Sequence, residues 1–242
     1  MIILNYDQTF IQANTYIVAD DDAREALVID TGAGSAQWIK DTLAEHQLSL
    51  GAVLLTHGHL DHIWDSAAVA GDAPVYIPAP DRYRVEDPFK SSLPDAARDL
   101  ALARMGAQAW KVPSNLLDLP QEMLSGSFEI VKGVYMRALP TPGHSEGSTV
   151  FLTQGTISDE SNVPVVSDGR VESIMFAGDV IFRNGIGRTD LPGGDEQEMM
   201  ASLRLLVNVI RPETVIFPGH GGHTTMFYET RYSPYMHAAM SS

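Results

Sequence analysis

Cysteine is absent from the 242 residues. That excludes disulfides, thiolate metal ligands and a cysteine nucleophile. Basic residues are scarce: 16 Lys and Arg stand against 31 Asp and Glu, a formal net charge of −15. An acidic surface of that strength repels phosphate backbones, so nucleic acid is an unfavourable partner, and so is an anionic membrane. No uninterrupted apolar stretch approaches the roughly 18–20 residues that span a bilayer. The opening MIILNYDQTF has neither the basic nor the long apolar region of a secretory signal. A cytoplasmic protein is therefore the default expectation. Tandem repeats and linkers of disordered composition are also missing.

What is present is a series of short apolar runs. TYIVAD (15–20) and EALVIDTG (25–32) flank the acidic turn Asp21–Asp22 and predict an antiparallel hairpin. SAQWIKDTLAEH (35–46) places Trp38, Ile39 and Leu43 at helical spacing, with Ser35 as N-cap. GAVLLTHGH (51–59) reads as a buried strand emptying into a polar loop, IWDSAAVAG (63–71) as a short helix, and PVYIPAP (74–80) as a strand closed by prolines. Residues 81–127 change character. Prolines at 88, 94, 113 and 120 punctuate them, AARDLALARMG (96–106) predicts a helix, and the stretch reads as a lid or substrate wall or as a surface excursion. Strand signals resume in SFEIVKG (127–133), YMRALPTPGH (135–144), STVFLTQG (148–155) and ESIMFAGDVIF (172–182), with the polar residues 156–172 as a hairpin extension. DEQEMMASLRLLVNVI (195–210) sets Met199, Leu203, Leu206 and Ile210 on one helical face, where the methionines pack a core. ETVIFPGHG (213–221) ends the pattern. This order predicts one domain over 1–242, of two packed sheets with outer helices.

Four of these apolar runs end in the same kind of side chain. The first ends in THGHLDH, with His57, His59, Asp61 and His62; the others end in His144, Asp179 and His220. Five of the eight histidines sit at these ends, where α/β folds gather ligands. In extended backbone residues i and i+2 share a side, so His57 and His59 can grip one ion, and Gly58 lets the loop bend. Asp61 and His62, one turn further on, are placed for a second ion. Imidazoles and carboxylates suit zinc first, with iron and manganese compatible. Those four ligands do not fill two shells. His144, Asp179 and His220 complete them, with Asp179 as the natural bridge. Two ions about 3.5–4 Å apart would then share an activated hydroxide. Taken singly, His144 or His220 reads as an ordinary turn imidazole and Asp179 as a cap; their joint placement at strand ends is what points to metal. His46 on the exposed side of a helix, His223 at the surface and His237 fall outside the pattern.

These residues resemble the metallo-β-lactamase superfamily. THGHLDH matches its HxHxDH signature, and His144, Asp179 and His220 follow in its order, so that the likeness runs from IDTG (29–32) to PGHG (218–221). The resemblance implies an α/β protein, an αββα sandwich of two mixed β-sheets with outer helices and metals at one edge. It implies that His57, His59 and His144 hold one metal, that Asp61, His62 and His220 hold the other, and that Asp179 bridges them. FAGDVIFRNGIGRTDLPGGD (176–195) and PGHGGHTTMFYETRYSPY (218–235) are similar to stretches of the glyoxalase II-like hydrolases, with Gly222 in place of a proline and Ser233-Pro234 in place of Asn-Pro. True glyoxalase II enzymes add a basic C-terminal helical domain that grips glutathione; here the tail after His220 has a single arginine, Arg231.

The expected activity is therefore hydrolysis of a small-molecule thioester, such as a 2-hydroxyacyl thiol ester, by a metal-bridging hydroxide that Asp61 helps to orient. Asp30, in IDTG, either fixes the tautomer of a ligand imidazole or closes a turn. Arg188 and Asp190 are expected to form a structural ion pair rather than shape the entrance. The alternatives are a persulfide dioxygenase with one iron on His57, His144 and Asp179, a β-lactamase, and a metal-bound interaction module without catalysis.

Overall fold

The computed structural model describes residues 1–7, 12–91, 110–164 and 169–241. Six strands form the first sheet in sequence order: β1 (Ile2–Asp7), β2 (Asn14–Ala19), β3 (Glu25–Ile29), β4 (Ser49–Leu54), β5 (Val75–Ile77) and β6 (Leu116–Asp118). β1 to β3 pair antiparallel and β3 to β6 pair parallel. The second sheet contains β7 (Phe128–Val131), β8 (Val134–Pro140), β9 (Thr149–Thr156) and β10 (Val171–Gly178), followed across the sheet by β13 (Val215–Pro218) and β14 (Thr224–Thr225). Among the described residues, only β10 and β13 are parallel there. A small ribbon of β11 (Ile181–Phe182) and β12 (Gly185–Ile186) leaves the end of β10.

Three apolar layers follow from strand alternation. In β4, Ala52 and Leu54 point between the sheets, while Val53 points to the helices outside. In β10, Ile174 and Phe176 pack between the sheets, and Met175 and Ala177 pack under the outer helices. Both faces of these strands are buried, which is why they read as unbroken apolar runs. Between the sheets, Phe176 meets Tyr16 and Phe217 with ring centroids 5.2 and 5.6 Å apart. Ser35–Glu45 buries Ile39 on the first sheet; Glu196–Val209 buries Met199, Leu203 and Leu206 on the second, beside Met226 and Met236 of the two C-terminal helices. The architecture is the αββα sandwich expected.

Several local expectations change. Ser35 does not cap its helix: Gly34 is the N-cap residue, and the Asp65 carboxylate accepts from the N–H groups of Gly34 and Ala36 at 2.9 and 3.0 Å. The helix expected over 63–71 is shortened to Ser66–Ala70, with Asp65 as its N-cap residue, and Ile63 ends a separate turn, Leu60–Ile63. β1 was not expected, because IILNYD is short and mixes apolar with polar residues. Its pairing with β2 makes it a strand. The stretch after β9 runs along the open edge of β1. There Ile3 N–H donates to Ser161 Oγ, Asn5 N–H donates to Asn162 Oδ1, and Asn162 N–H donates to the Ile3 carbonyl. The segment expected only as a hairpin extension thus covers a sheet edge. Within 81–127, β6 and the helix Gln121–Ser125 are built into the body, with Met123 fully buried between the sheets; the helix expected over 96–106 lies outside the described residues. No helix among the described residues is long and apolar enough to cross a membrane.

Candidate metal centre

Strand ends from both sheets meet at one edge. β4 delivers His57 and His59. The short helix Leu60–Ile63 turns Asp61 and His62 back over them. The β8–β9 loop brings His144, β10 ends one residue before Asp179, and β13 ends two residues before His220. All seven predicted side chains converge. Their ligand atoms fall into three sets lying within 4.8 Å of one another: His57, His59 and His144; His57, His62 and Asp179; and Asp61, His62 and His220. Asp179 stands between the pockets. Its Oδ1 lies 3.3 Å from His62 Nε2, and its Oδ2 lies 3.4 Å from both His144 Nε2 and His220 Nε2. Asp61 Oδ2 is 3.3 Å from His220 Nε2. His46, His223 and His237 are outside these sets; His46 is half-buried beside Glu160 rather than fully exposed.

Hydrogen bonds on the far side of each ring determine which nitrogen faces inward. His62 Nδ1 meets Asp30 Oδ2 at 2.8 Å, His144 Nδ1 meets the Arg188 carbonyl at 2.7 Å, and His220 Nδ1 meets the Gln12 carbonyl at 3.1 Å. These acceptors require Nδ1–H and make Nε2 the nitrogen that faces inward. The Thr56 hydroxyl donates to Asp30, so it accepts from His57 Nδ1 at 3.0 Å. His57 Nε2 is then buried without a hydrogen-bond partner among the described residues, and Asp179 Oδ1 has only its 3.3 Å contact with His62 Nε2. His59 Nδ1 lies 2.8 Å from His144 Nε2 and donates to it, which leaves His59 Nε2 likewise buried without a hydrogen-bond partner among the described residues.

Charge follows the same division. Burial first, then the His62 and His59 rings, push the His57 pKa well below the ordinary imidazole value. Burial and His144 bring His59 down to about 3. Burial would lower His62 as well, but Asp179, Asp61 and Asp30 outweigh it and hold its pKa well above normal. Against burial, Asp179 and Asp61 raise His220 to about 9. Burial alone would raise the two carboxylates, yet His62 and His220 hold Asp61 low and Asp179 well below its usual range.

Asp30 serves both roles considered for it. It sits at φ 56° in a left-handed turn, accepts from Thr56 N–H and Thr56 Oγ1 at 2.8 Å each, and takes the His62 ring. Arg188 and Asp190 form the expected pair, with two contacts of 2.6 and 2.7 Å on the open surface. Sequence reasoning missed the supports of His220. Asn14 donates from its side chain to the Pro218 and Gly221 carbonyls and from its backbone to Gly219, and the Tyr16 hydroxyl donates to Pro218. Gly219 must be glycine because a β-carbon there would overlap Asp179 Oδ1 and lie 2.8 Å from the His62 ring.

A model of the metallo-beta-lactamase superfamily matches residues 9–220, and the chain belongs to that superfamily. An uncharacterized protein of Mycobacterium tuberculosis is 31% identical over 98% of this chain and 98% of its own length. Hydroxyacylglutathione hydrolase GloC of Haemophilus influenzae is 30% identical over 95% of each chain. Among solved structures, the BLEG-1 B3 metallo-beta-lactamase matches with a TM-score of 0.72 and 28% identity, covering 97% of this chain and 99% of its own. TTHA1623 in a di-iron-bound form matches with a TM-score of 0.68 and 28% identity, covering 96% and 99%. The fold is that of metal-dependent hydrolases that bind divalent ions through such His and Asp clusters.

Proposed function

We propose that this protein is a binuclear metal-dependent hydrolase of a small-molecule thioester, of the glyoxalase II kind, acting on a 2-hydroxyacyl thiol ester in the cytoplasm. The observation that carries this reading is the convergence of seven ligand side chains on two pockets that share Asp179. His57, His59 and His144 would hold one ion, Asp61, His62 and His220 the other, and the two oxygens of Asp179 reach both. Inward-facing Nε2 atoms, with His57 Nε2 and His59 Nε2 buried and lacking a hydrogen-bond partner among the described residues, fit a pair of divalent ions. An all nitrogen and oxygen donor set favours zinc, with iron as the alternative given the di-iron form of TTHA1623. Bound there, the ions would supply Lewis acidity and bring the pKa of a water close to neutrality.

The chain's own groups supply the rest. The Nδ1 hydrogen bonds of His57, His62, His144 and His220 hold four rings in one tautomer before substrate arrives. Asp61 keeps a side-chain exposure of 17% and His220 of 22%, so substrate approaches from their side. There Asp61 can accept a hydrogen bond from an attacking water and orient it. Phe182 stands edge-on to His220 at 5.7 Å and gives that entrance an apolar wall. A thioester expels a stable thiolate, so the chain need not supply a proton to the leaving group. The likeness to GloC over nearly the whole chain supports this substrate class.

A β-lactam amide is the second reading, and the likeness to BLEG-1 is the observation that favours it. Metal analysis with a thioester panel, a chromogenic β-lactam, and oxygen uptake on glutathione persulfide separates the possibilities. About two ions per chain and thioester turnover are expected. β-Lactam turnover alone would favour the second reading. Oxygen uptake with about one iron per chain would indicate a dioxygenase. Bound metal with no turnover across the panel would leave an interaction module.

A further inference from the structure

Behind the metal centre two charged side chains are completely buried, and neither is a ligand. Asp81 ends the turn Ala79–Asp81 after β5, and Arg84 lies in the helix Arg82–Glu86; both have no exposure. Buried charges persist only when paired and hydrogen-bonded. Here the partners belong to the loops that carry the metal ligands. Asp81 Oδ2 accepts from the N–H of Gly58, between His57 and His59, at 2.7 Å. The same oxygen accepts from the hydroxyl of Ser145, the residue after His144, at 2.7 Å. Asp81 Oδ1 accepts from Gly147 N–H at 2.7 Å and faces Arg84 Nε at 3.4 Å. Arg84 Nη2 donates to Glu146 Oε2 at 2.5 Å and to the Pro192 carbonyl at 2.7 Å. That second contact ties down the loop whose Arg188 carbonyl orients His144.

Close packing repeats the pattern. A β-carbon on Gly58 would lie 2.6 Å from Arg84 Cβ, and one on Gly147 would lie 2.6 Å from Asp81 Cγ. One on Gly193 would overlap Arg84 Nη2 and Glu146. Three loops from different parts of the chain are thus pressed against one ion pair.

We propose that the Asp81–Arg84 pair is a positioning unit that sets the separation of the His57/His59 loop from the His144 loop, and with it the metal affinity of the three-histidine pocket. This rests on the reading of those histidines as ligands. The two loops come from different sheets. A single carboxylate accepts from both, so displacement of either would strand a buried donor. The other pocket is held by different means: Asp61 and His62 share a helix, and His220 is held from Gln12 and Asn14. The effect of the pair is therefore confined to one ion.

The test is a competitive metal titration of the full chain, read also through the visible spectrum of the cobalt-substituted protein. Asp81→Asn puts an amide donor where the carboxylate accepts. It should weaken one of the two ions by about 10–100-fold and leave the other unchanged. Gly147→Ala, which displaces Asp81 without altering any charge, should weaken the same ion and carries the test if Asp81→Asn does not fold. Leu203→Ala, in the helix layer of the second sheet, should lower thermal stability and move neither affinity. If Asp81→Asn and Gly147→Ala titrate like the parent, or weaken both ions equally, the pair is only structural and the proposal falls. If the parent protein takes up no metal, it is the reading of the centre that fails first.

Discussion

His57, His59 and His144 are at most 5% exposed, and the groups that press on them are mostly other imidazoles. Asp61 and His220 keep contact with solvent and, with the fully buried His62, form a pocket of mixed charge. The same fold edge therefore presents two environments. Desolvation that the nearby carboxylates do not outweigh keeps His57 and His59 neutral. Carboxylates that outweigh desolvation keep the second set protonated. A cation entering the first pocket meets free lone pairs in a rigid frame. In the second it would have to displace protons.

The largest expected effect falls where the pockets join. Asp179→Asn removes charge from both, and turnover should drop by roughly a thousandfold or more, because several kcal/mol of metal-derived stabilisation depend on it. Steady-state kinetics with metal analysis measures this. A variant with full activity would remove Asp179 from the centre.

Next come His59→Ala and His220→Ala, one from each pocket. Each should leave about one ion per chain and lower turnover by roughly a hundredfold. If either variant empties both pockets, the division between them is not real. Asp30→Asn is milder, since it touches the ligand His62 and not a metal; about 10–100-fold in affinity is expected, confined to the open pocket.

The smallest effect is on stability against pH in metal-free protein. His62 and His220 have raised pKa values when folded. Their contribution is complete below the ordinary value of 6.5 and is lost as pH rises toward about 9. His57 and His59 have lowered values, so their neutral burial costs stability as pH falls from 6.5 toward about 3. Melting temperature should therefore fall by a few degrees on either side of a maximum near 6.5. A monotonic profile would contradict the contrast in charge.

Much of the candidate site was legible. HxHxDH is local, and strand alternation followed by one helical turn places its members with little help from the rest of the chain. His144, Asp179 and His220 were visible because each follows an apolar run. Asp81 and Arg84 were not, since in PAPDRYR they look like ordinary surface charges. Ser35 looked like a cap and Asp65 like a residue of the helix expected over 63–71. The roles were reversed because Asp65 reaches the Gly34 and Ala36 amides across the fold. β1 and β6 became strands only through their neighbours.

By itself the amino-acid order determined the two layers of apolar strands, the helical face of Met199, Leu203 and Leu206, and the identity of seven converging histidine and aspartate side chains. These follow from periodicity and from donor chemistry, which are properties of short stretches. Only the tertiary structure decided which nitrogen of each ring faces inward, which histidines are neutral, and which buried carboxylate ties the loops together. Those depend on hydrogen-bond partners and on local dielectric, and both arise only where segments distant in sequence come into contact.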